Sequence, residues 1–405
     1  MKKGLKILGV FILGLLLVTG CKKTTTYKET IKTKDGITVG GKLNITNLFT
    51  SRDLEQTADT TDAKTYTIKG NENINISTEG VYVITGEGEN VSIIVEVKET
   101  EKVQLVLDNL KITNTDSPCI YVKSADKVFI TTLNDNSLTV TGSFKADGTT
   151  STDSVIFSKE DLVLNGTGTL TISSTENGIS SKDDLKITGG VITIDCVDDA
   201  LEANDSVAIN DGTITINTKK DGIHAEYDED NTVGYVYIGG GTINITAGDD
   251  AIHATTILQI DNGTITLKAA EGLEGTFIQI NDGTLNITAS DDGMNAGQKS
   301  KYYTPTIEIN GGTITIDMGQ GDTDAIDANG NLYINGGTLN ITAQSPFDYD
   351  GEAKYNGGKI IVNGEETTTI TNQFMGGGQQ QGGQQPAQPQ QPQQGQQQQG
   401  GHRQR

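Results

Sequence analysis

The sequence predicts an all-β protein, a parallel β-solenoid with about 20–29 residues per coil, and three observations carry that expectation. First, a Gly-Thr pair (once Gly-Val) opening a short alternating strand recurs as GTLTI (168–172), GVITI (190–194), GTITI (212–216), GTINI (241–245), GTITL (263–267), GTLNI (283–287), GTITI (312–316) and GTLNI (337–341). Second, successive pairs are 22, 22, 29, 22, 20, 29 and 25 residues apart, and no segment after the leader shows a sustained helical period. Third, apolar residues alternate with Thr or Asn at period two, and Asn-Gly or Asp-Gly turns separate the runs. One such unit cannot bury its own Ile column. Stacking units does so, with rungs about 4.8 Å apart.

Each unit reads in order as an Ile/Thr strand, a turn, an acidic phrase and a second strand such as ILQI (257–260) or LYI (332–334). Residues 64–160 fit the scheme with less regular spacing, in VQLVLDNLKI (103–112), PCIYVKSADKVFI (118–130) and SLTVTG (137–142), and are expected to supply the first coils and the N-terminal cap. The repeat domain is therefore assigned to 64–371, after a linker at 21–63. Residues 372–405, rich in Gln, Gly and Pro, cannot form a core and read as a disordered tail.

Residues 1–20 read as a targeting segment. Lys2 and Lys3 precede the apolar run ILGVFILGLLLV (7–18), which is too short to favour a spanning helix. Val18-Thr19-Gly20-Cys21 resembles the lipobox of bacterial lipoproteins. That resemblance implies cleavage before Cys21, its lipidation, and a lipid-anchored location on the outer face of the cell membrane. The remaining cysteines, Cys119 and Cys196, lie in strand-like runs. A disulfide is open to an exported protein, but coils three or four rungs apart exceed its reach, so buried free thiols are expected.

The chain of 405 residues carries 53 acidic and 30 basic side chains, for a net charge of −23. Nucleic acid and anionic membrane surfaces are repelled by such a charge, apart from the extreme N-terminus. Hard cations, and ligands bridged by them, complement it. Trp is absent and aromatics are 5%, so a core of large rings is not expected.

The stretch VYVITGEG…VQLVLDNLKITNTDSPCIYVKSADKVFI, followed by SKEDLVLNGTGTLTI…NGISSKDDLKITGG, resembles a bacterial carbohydrate-binding β-helix family related to polysaccharide lyases. The likeness covers about residues 65–362. It implies an exported right-handed parallel β-helix that binds calcium and plant-type polysaccharide, cellulose or acidic pectin-like glycans, and that binds rather than cleaves.

The acidic phrase recurs as VDDALEA (197–203), KDGIHAE (220–226), GDDAIHA (248–254), EGLEG (271–275), DDGMNA (291–296) and DAIDA (324–328). Strand alternation would set Asp250 on the face of Ile252 and turn Asp249, Ala251 and His253 outward, giving a shallow channel floored by Ala or Gly. The corner column Asp199, Asp221, Asp250, Glu271, Asp292 and Asp324, with Asp198, Asp249 and Asp291 beside it, supplies the candidate calcium ligands. Like charges on neighbouring rungs repel, and calcium accepts many oxygen ligands in flexible geometry. The competing explanation is that each Asp caps its own turn.

Glu202, His224, His253 and Glu274 share the other column and are the candidate ligand-binding groups. His224 and His253 should stack as groove residues that hydrogen-bond a ligand, with zinc or copper ligation as the lesser reading. The two 29-residue coils place extra loops at 227–235 and 297–304, expected about three rungs or roughly 14 Å apart. Tyr227, Tyr302 and Tyr303 on those loops are candidate platforms for sugar rings.

A calcium-dependent lyase or hydrolase is the alternative function. After the leader, arginine occurs only as Arg52, Arg403 and Arg405, outside the repeats, so no arginine base is at hand. A catalytic constellation should also be singular, whereas these carboxylates are serial. A structural or adhesive surface protein is the third reading.

Overall fold

The computed structural model describes residues 43–227, 229–319 and 323–372. The apolar leader, the Cys21 lipidation site and the tail beyond Asn372 lie outside the described residues. Among the described residues the fold is all-β, with a single 3-10 turn at Ile45–Asn47. The strands join one hydrogen-bonded sheet whose pairings are parallel until Lys359–Val362 meets Glu365–Thr367 in antiparallel fashion.

Each strand pairs with its counterpart one repeat later, and this produces three ladders. The threonine ladder contains Val191–Asp195, Thr213–Asn217, Thr242–Thr246, Thr264–Ala269, Thr284–Ala289, Thr313–Met318 and Thr338–Thr342. The acid ladder contains Leu201–Ala203, Ile223–Ala225, the start of Asp250–Ile260, the start of Glu271–Ile280 and Met294–Ala296. The covered ladder contains Asp184–Ile187, Ser206–Ile209, Tyr235–Ile238 and the ends of those two long strands.

Period-two alternation decides which side of the threonine ladder is buried. Ile214, Ile216, Ile243, Ile245, Ile265 and Leu267 are buried, while Thr213, Thr215, Thr242 and Thr264 stay exposed. Each buried branched side chain contributes about 1.5–3 kcal/mol. The Gly of seven of the eight pairs explains their recurrence. Gly190, Gly212, Gly241, Gly263, Gly283, Gly312 and Gly337 all take positive φ, between 78° and 127°, where an L side chain is strained. That turn aims the following amide at the previous rung, as in Thr242 N to Gly212 O at 2.8 Å. Gly168 is the exception, and Gly166 takes the positive φ in its place.

Side chains add a second set of rung-to-rung bonds. Asn310, Asn335 and Asn356 each donate Nδ2 to the Oδ1 of the preceding Asn, at 2.8, 2.7 and 2.7 Å, and Asn281 donates to Asp261 at 2.6 Å.

The covered ladder is buried on both faces because residues 43–56, expected as part of a linker, lie across it. Leu43 and Leu48 pack with Ala208, Tyr235, Tyr237, Ile257, Phe277 and Tyr303. Leu43 N donates to Gln259 Oε1 at 3.1 Å, and Gln56 Nε2 donates to Thr188 O at 3.0 Å while its Oε1 accepts from Gly166 N at 3.0 Å. The Arg52 guanidinium sits 4.3 Å from the centre of the Phe129 ring. Cys119 and Cys196 are both free and buried, and burial pushes their thiols up to about 12 and about 11.

Candidate functional site

The acidic phrase carries the chain from the threonine ladder into the acid ladder, and the corner breaks strict alternation. Ala251 and Ile252 are both fully buried, while the Asp250 carboxylate turns back to meet His253. Asp250 therefore does not share the inward face of Ile252, contrary to the alternation argument. Two polar columns run side by side instead: Asp199, Asp221, Asp250, Glu271 and Asp292 at the corner, and Glu202, His224, His253, Glu274 and Asn295 in register three residues on.

The small residues between these columns do not floor a channel. Ala200, Ala251 and Ala325 belong to the core. A Cβ on Gly222, Gly272 or Gly293 would lie 2.4, 2.5 or 2.7 Å from Cγ2 of Ile245, Ile287 or Ile316. Smallness here is a packing demand made by the threonine ladder's isoleucines.

The corner carboxylates do cap backbone amides, but across rungs rather than within their own turns. Asp199 Oδ1 accepts from Asp221 N at 3.1 Å, Asp221 Oδ1 from Asp250 N at 2.9 Å, and Asp292 Oδ1 from Asp324 N at 3.2 Å. Asn177 begins the series by accepting from Asp199 N at 2.9 Å. One oxygen of each of these carboxylates is thus committed to the fold. The second Asp221 oxygen lies 3.1 Å from His224 Nδ1, and the second Asp199 oxygen 3.3 Å from the same atom.

His224 and His253 stack on adjacent rungs with ring centroids 4.7 Å apart. His253 is only 7% exposed, so it is not an open groove residue. Its Nδ1 lies 3.0 Å from Asp250 Oδ2 and 2.7 Å from Glu274 Oε2. Lys299 Nζ holds the other Glu274 oxygen at 2.5 Å. The two long loops meet over this cluster instead of standing apart: Ser300 Oγ donates to Asn231 O at 2.6 Å. Thr276 Oγ1 anchors the second loop by accepting from Ser300 N at 2.8 Å.

Burial and mutual repulsion dominate the carboxylate chemistry. Burial, with the Glu274 charge behind it, raises Glu271 to about 7; burial and the Asp327 charge raise Asp292 to about 7. Asp327 rises to about 6 through burial and Asp348. Within the coupled pair, burial and Glu274 raise Asp250, while bonds to His253 outweigh burial and lower Glu274. Burial works against the imidazolium of both histidines, but the facing carboxylates raise His224 to about 12 and His253 to about 9.

The remaining candidates divide by exposure. Asp249 and Asp291 are exposed, and Asp198 pairs with Lys220 at 3.7 Å. Asp324 is bonded by the Ser345 hydroxyl. Glu202 is engaged by Asn177, Ser180 and Lys182 at 2.8, 2.7 and 3.2 Å. It lines an open cavity of about 370 Å³ with Lys182, His224, Glu226 and Tyr227. Tyr227 bonds Glu229 at 3.0 Å, and Tyr302 is half-buried under Lys301. Tyr303 is buried against Tyr235, Tyr237 and Phe277 and offers no face to a sugar. Oxygens of Asp221, Asp249 and Asp250 lie within 4.8 Å of one another, a donor set that suits a hard cation.

The chain matches the model of the carbohydrate-binding domain-containing protein family over residues 69–276 and again over 271–375. It belongs to that family. It is similar to a carbohydrate-binding domain-containing protein of Acetivibrio thermocellus, with 37% identity over 122 residues, 29% of this chain and 43% of that relative. The chain thus spans less than half the length of the relative it matches. Among solved structures it is similar to a polysaccharide lyase-like protein from C. thermocellum, a gadolinium derivative, at 31% identity and a TM-score of 0.47. That match covers 56% of this chain and 96% of the other.

Four further residues of this carbohydrate-binding family member belong to the site. Glu226 lies two positions past His224, so strand alternation places it on the same side, and its Oε2 is 3.1 Å from His224 Nε2. Asp327 pairs with Asn295 at the C-terminal end of the acid ladder. Asn295 Nδ2 donates to Glu271 Oε2 at 3.0 Å. Lys299 has no sequence signal, since only the meeting of the loops brings it to Glu274.

Proposed function

We propose that the protein is an exported, lipid-anchored right-handed parallel β-helix that binds polysaccharide, with calcium as structural ion, bridge or both. Membership of the carbohydrate-binding domain family over residues 69–375 is the observation that carries the ligand class. The three parallel ladders support the β-helix reading, because each strand meets its counterpart one repeat on. The corner carboxylates support the cation. Burial, with repulsion from neighbouring carboxylates behind it, lets Glu271, Asp292 and Asp327 hold protons up to pH 6–7, and a divalent ion would offset both effects. Two buried oxygens without a hydrogen-bond partner among the described residues, Asn295 Oδ1 and Thr323 Oγ1, lie on the same rungs and add neutral donors.

Calcium bridging reconciles a net charge of −23 with an acidic glycan, since the ion is shared between protein and uronate carboxylates. Binding is favoured over cleavage because Lys299, the lysine in the cluster, is a poor base. Burial pulls its ammonium down, but the Glu274 bond outweighs burial and leaves it raised.

The test is retention of the mature chain on insoluble cellulose and on polygalacturonate, with calcium and with chelator, while unsaturated sugars are assayed in the supernatant. Calcium-dependent retention without products is expected. Unsaturated products would replace this reading with a lyase, and no retention on either glycan would leave the adhesive reading ahead.

A further inference from the structure

The acid ladder changes sign toward its N-terminal end. Tyr121, Phe157 and Ser180 are register partners on Ile120–Ser124, Ser154–Ser158 and Asn177–Ser181, and the same column runs on into Glu202 and His224. Val122, Ser158 and Ser181 pair one residue further along, and Lys123, Lys159 and Lys182 follow directly after them. The amides of Lys159 and Lys182 donate to Val122 O and Ser158 O at 3.1 and 2.9 Å. The three lysines therefore form a column whose rungs are about 4.8 Å apart. Acids outnumber bases 53 to 30 in this chain, so a column of bases is not what composition alone would produce.

Like charges on neighbouring rungs repel, and the protein compensates only two of the three. Lys123 Nζ pairs with Asp147 Oδ2 at 2.7 Å and lies 5.0 Å from the centre of the Tyr121 ring. Lys182 Nζ pairs with Glu202 Oε1 at 3.2 Å and lies 5.7 Å from the centre of the Phe157 ring. Both rings are buried, so they support the ammonium groups and offer no open face to a sugar. Lys159, between them, is half-buried and makes no ion pair among the described residues. Its charge reaches the same loop: the Lys123 bond and charge, then the Tyr121 hydroxyl, with Lys159 behind them, hold the Asp147 carboxyl below its usual range. Lys123 also lines a cavity of about 480 Å³ with Ile94, Tyr121 and Asp147, and Lys145, held by Asp116, adds a fourth ammonium to that lining. Lys182 lines the cavity beside Glu202, so the column leads from one cavity to the other.

We propose that Lys123, Lys159 and Lys182 form a metal-free subsite for the anionic groups of an acidic polysaccharide, with Lys159 taking a carboxylate or sulfate directly. That the ligand is a glycan rests on the carbohydrate reading above; that it is anionic rests on the lysine column. A lysine head acts as a point charge on a flexible stem, which suits a ligand whose charged groups recur along a chain without fixed orientation. A chain laid along the axis meets one ammonium per rung. Calcium on the acidic rungs and lysines on these rungs then hold the same chain at two places by opposite means.

The test is calorimetric titration of the full chain, with calcium present, by trigalacturonate, a sulfated trisaccharide and neutral cellotriose, at low and high salt. Lys159→Gln removes a charge that has no ion pair to lose, so Tm and calcium binding should not change. It is expected to weaken trigalacturonate or the sulfated sugar about fivefold at low salt, less at high salt, and to leave cellotriose unchanged. Lys159→Arg should keep the affinity. Lys268→Gln, at an exposed lysine on the threonine ladder, should have no effect. A larger loss for trigalacturonate assigns carboxylate and a larger loss for the sulfated sugar assigns sulfate; both uphold the subsite. Anionic sugars bound as tightly by Lys159→Gln, or an equal loss in Lys268→Gln, would overturn it. Tighter binding of single-stranded DNA than of either anionic sugar, lost in Lys159→Gln, would replace it with a nucleic-acid site. Retention on insoluble glycan with no Lys159 effect overturns the subsite alone, whereas a chain that binds no sugar overturns the carbohydrate reading with it.

Discussion

The Asp292 carboxylate accepts the backbone amide of Asp324 at 3.2 Å, one repeat ahead of it. The residue at this corner therefore serves two ends: one oxygen caps the next rung, and the charge is available to a cation. Asn177 makes the same cap with an amide oxygen, so the two ends can be separated by substitution. Asp292→Asn is expected to keep the cap and remove the charge facing Asp327. It should melt at or above the unaltered protein in chelator at pH 8, yet gain nothing from calcium. Asp292→Ala, which leaves the amide uncapped, should lose about 1–3 kcal/mol in denaturant titration. Equal stability of the two variants in chelator would show that the cap contributes nothing.

Stability should fall with rising pH when divalent ions are removed. Glu271 and Asp292 keep protons to about pH 7 in the folded state, whereas the unfolded chain releases them near pH 4–5. Their contribution is full below about pH 4 and is lost as pH rises through 7. His253 acts in the same direction, contributing fully below about pH 6.5 and losing its effect through about pH 9. Calorimetry in chelator should give a lower Tm at pH 8.5 than at pH 5.5, and calcium should raise Tm more at the higher pH. A chelated Tm that is flat across this range contradicts the assigned proton holding.

Gly272 is fixed by packing. A Cβ there meets Gly293 O at 2.4 Å and Ile287 Cγ2 at 2.5 Å, and the backbone contact cannot be relieved by a rotamer change. Gly272→Ala should cost about 1–3 kcal/mol in a denaturant titration. A neutral result would mean that the corner can spread, and the small column would need another explanation.

Residues 43–56 should behave as part of the folded body. Leu48→Asp places a charge against Tyr235, Tyr237 and Phe277, and should speed limited proteolysis within 43–56 severalfold while the repeats resist. Cleavage no faster than in the unaltered chain would argue that Leu48 does not hold the segment.

The ladders and their register were legible because Gly-Thr pairs, period-two isoleucines and turn dipeptides are local signals. The corner was legible in position but not in orientation. Ala251 and Ile252 both turn inward, which strict alternation cannot anticipate, and the threonine ladder's isoleucines crowd the same column at Gly222, Gly272 and Gly293. The loops at 227–235 and 297–304 were visible as insertions, but their meeting through Ser300 and Asn231 depends on how far each leans across the shorter repeats between them. The packing of 43–56 depends on contacts more than 100 residues distant, such as Gln56 with Gly166 and Thr188. No local pattern encodes those.

The asparagine column has a direction. Asn310, Asn335 and Asn356 each reach backward, donating to a carbonyl oxygen that an earlier part of the chain already holds in place. The backbone amides of Asp221, Asp250 and Asp324 do the same toward the carboxylates before them. A chain made or threaded through a pore from its N-terminus thus finds, for the asparagine column and these corner amides, acceptors already set in place by the preceding repeat. The molecule can be assembled vectorially, each completed layer serving as the template for the one that follows.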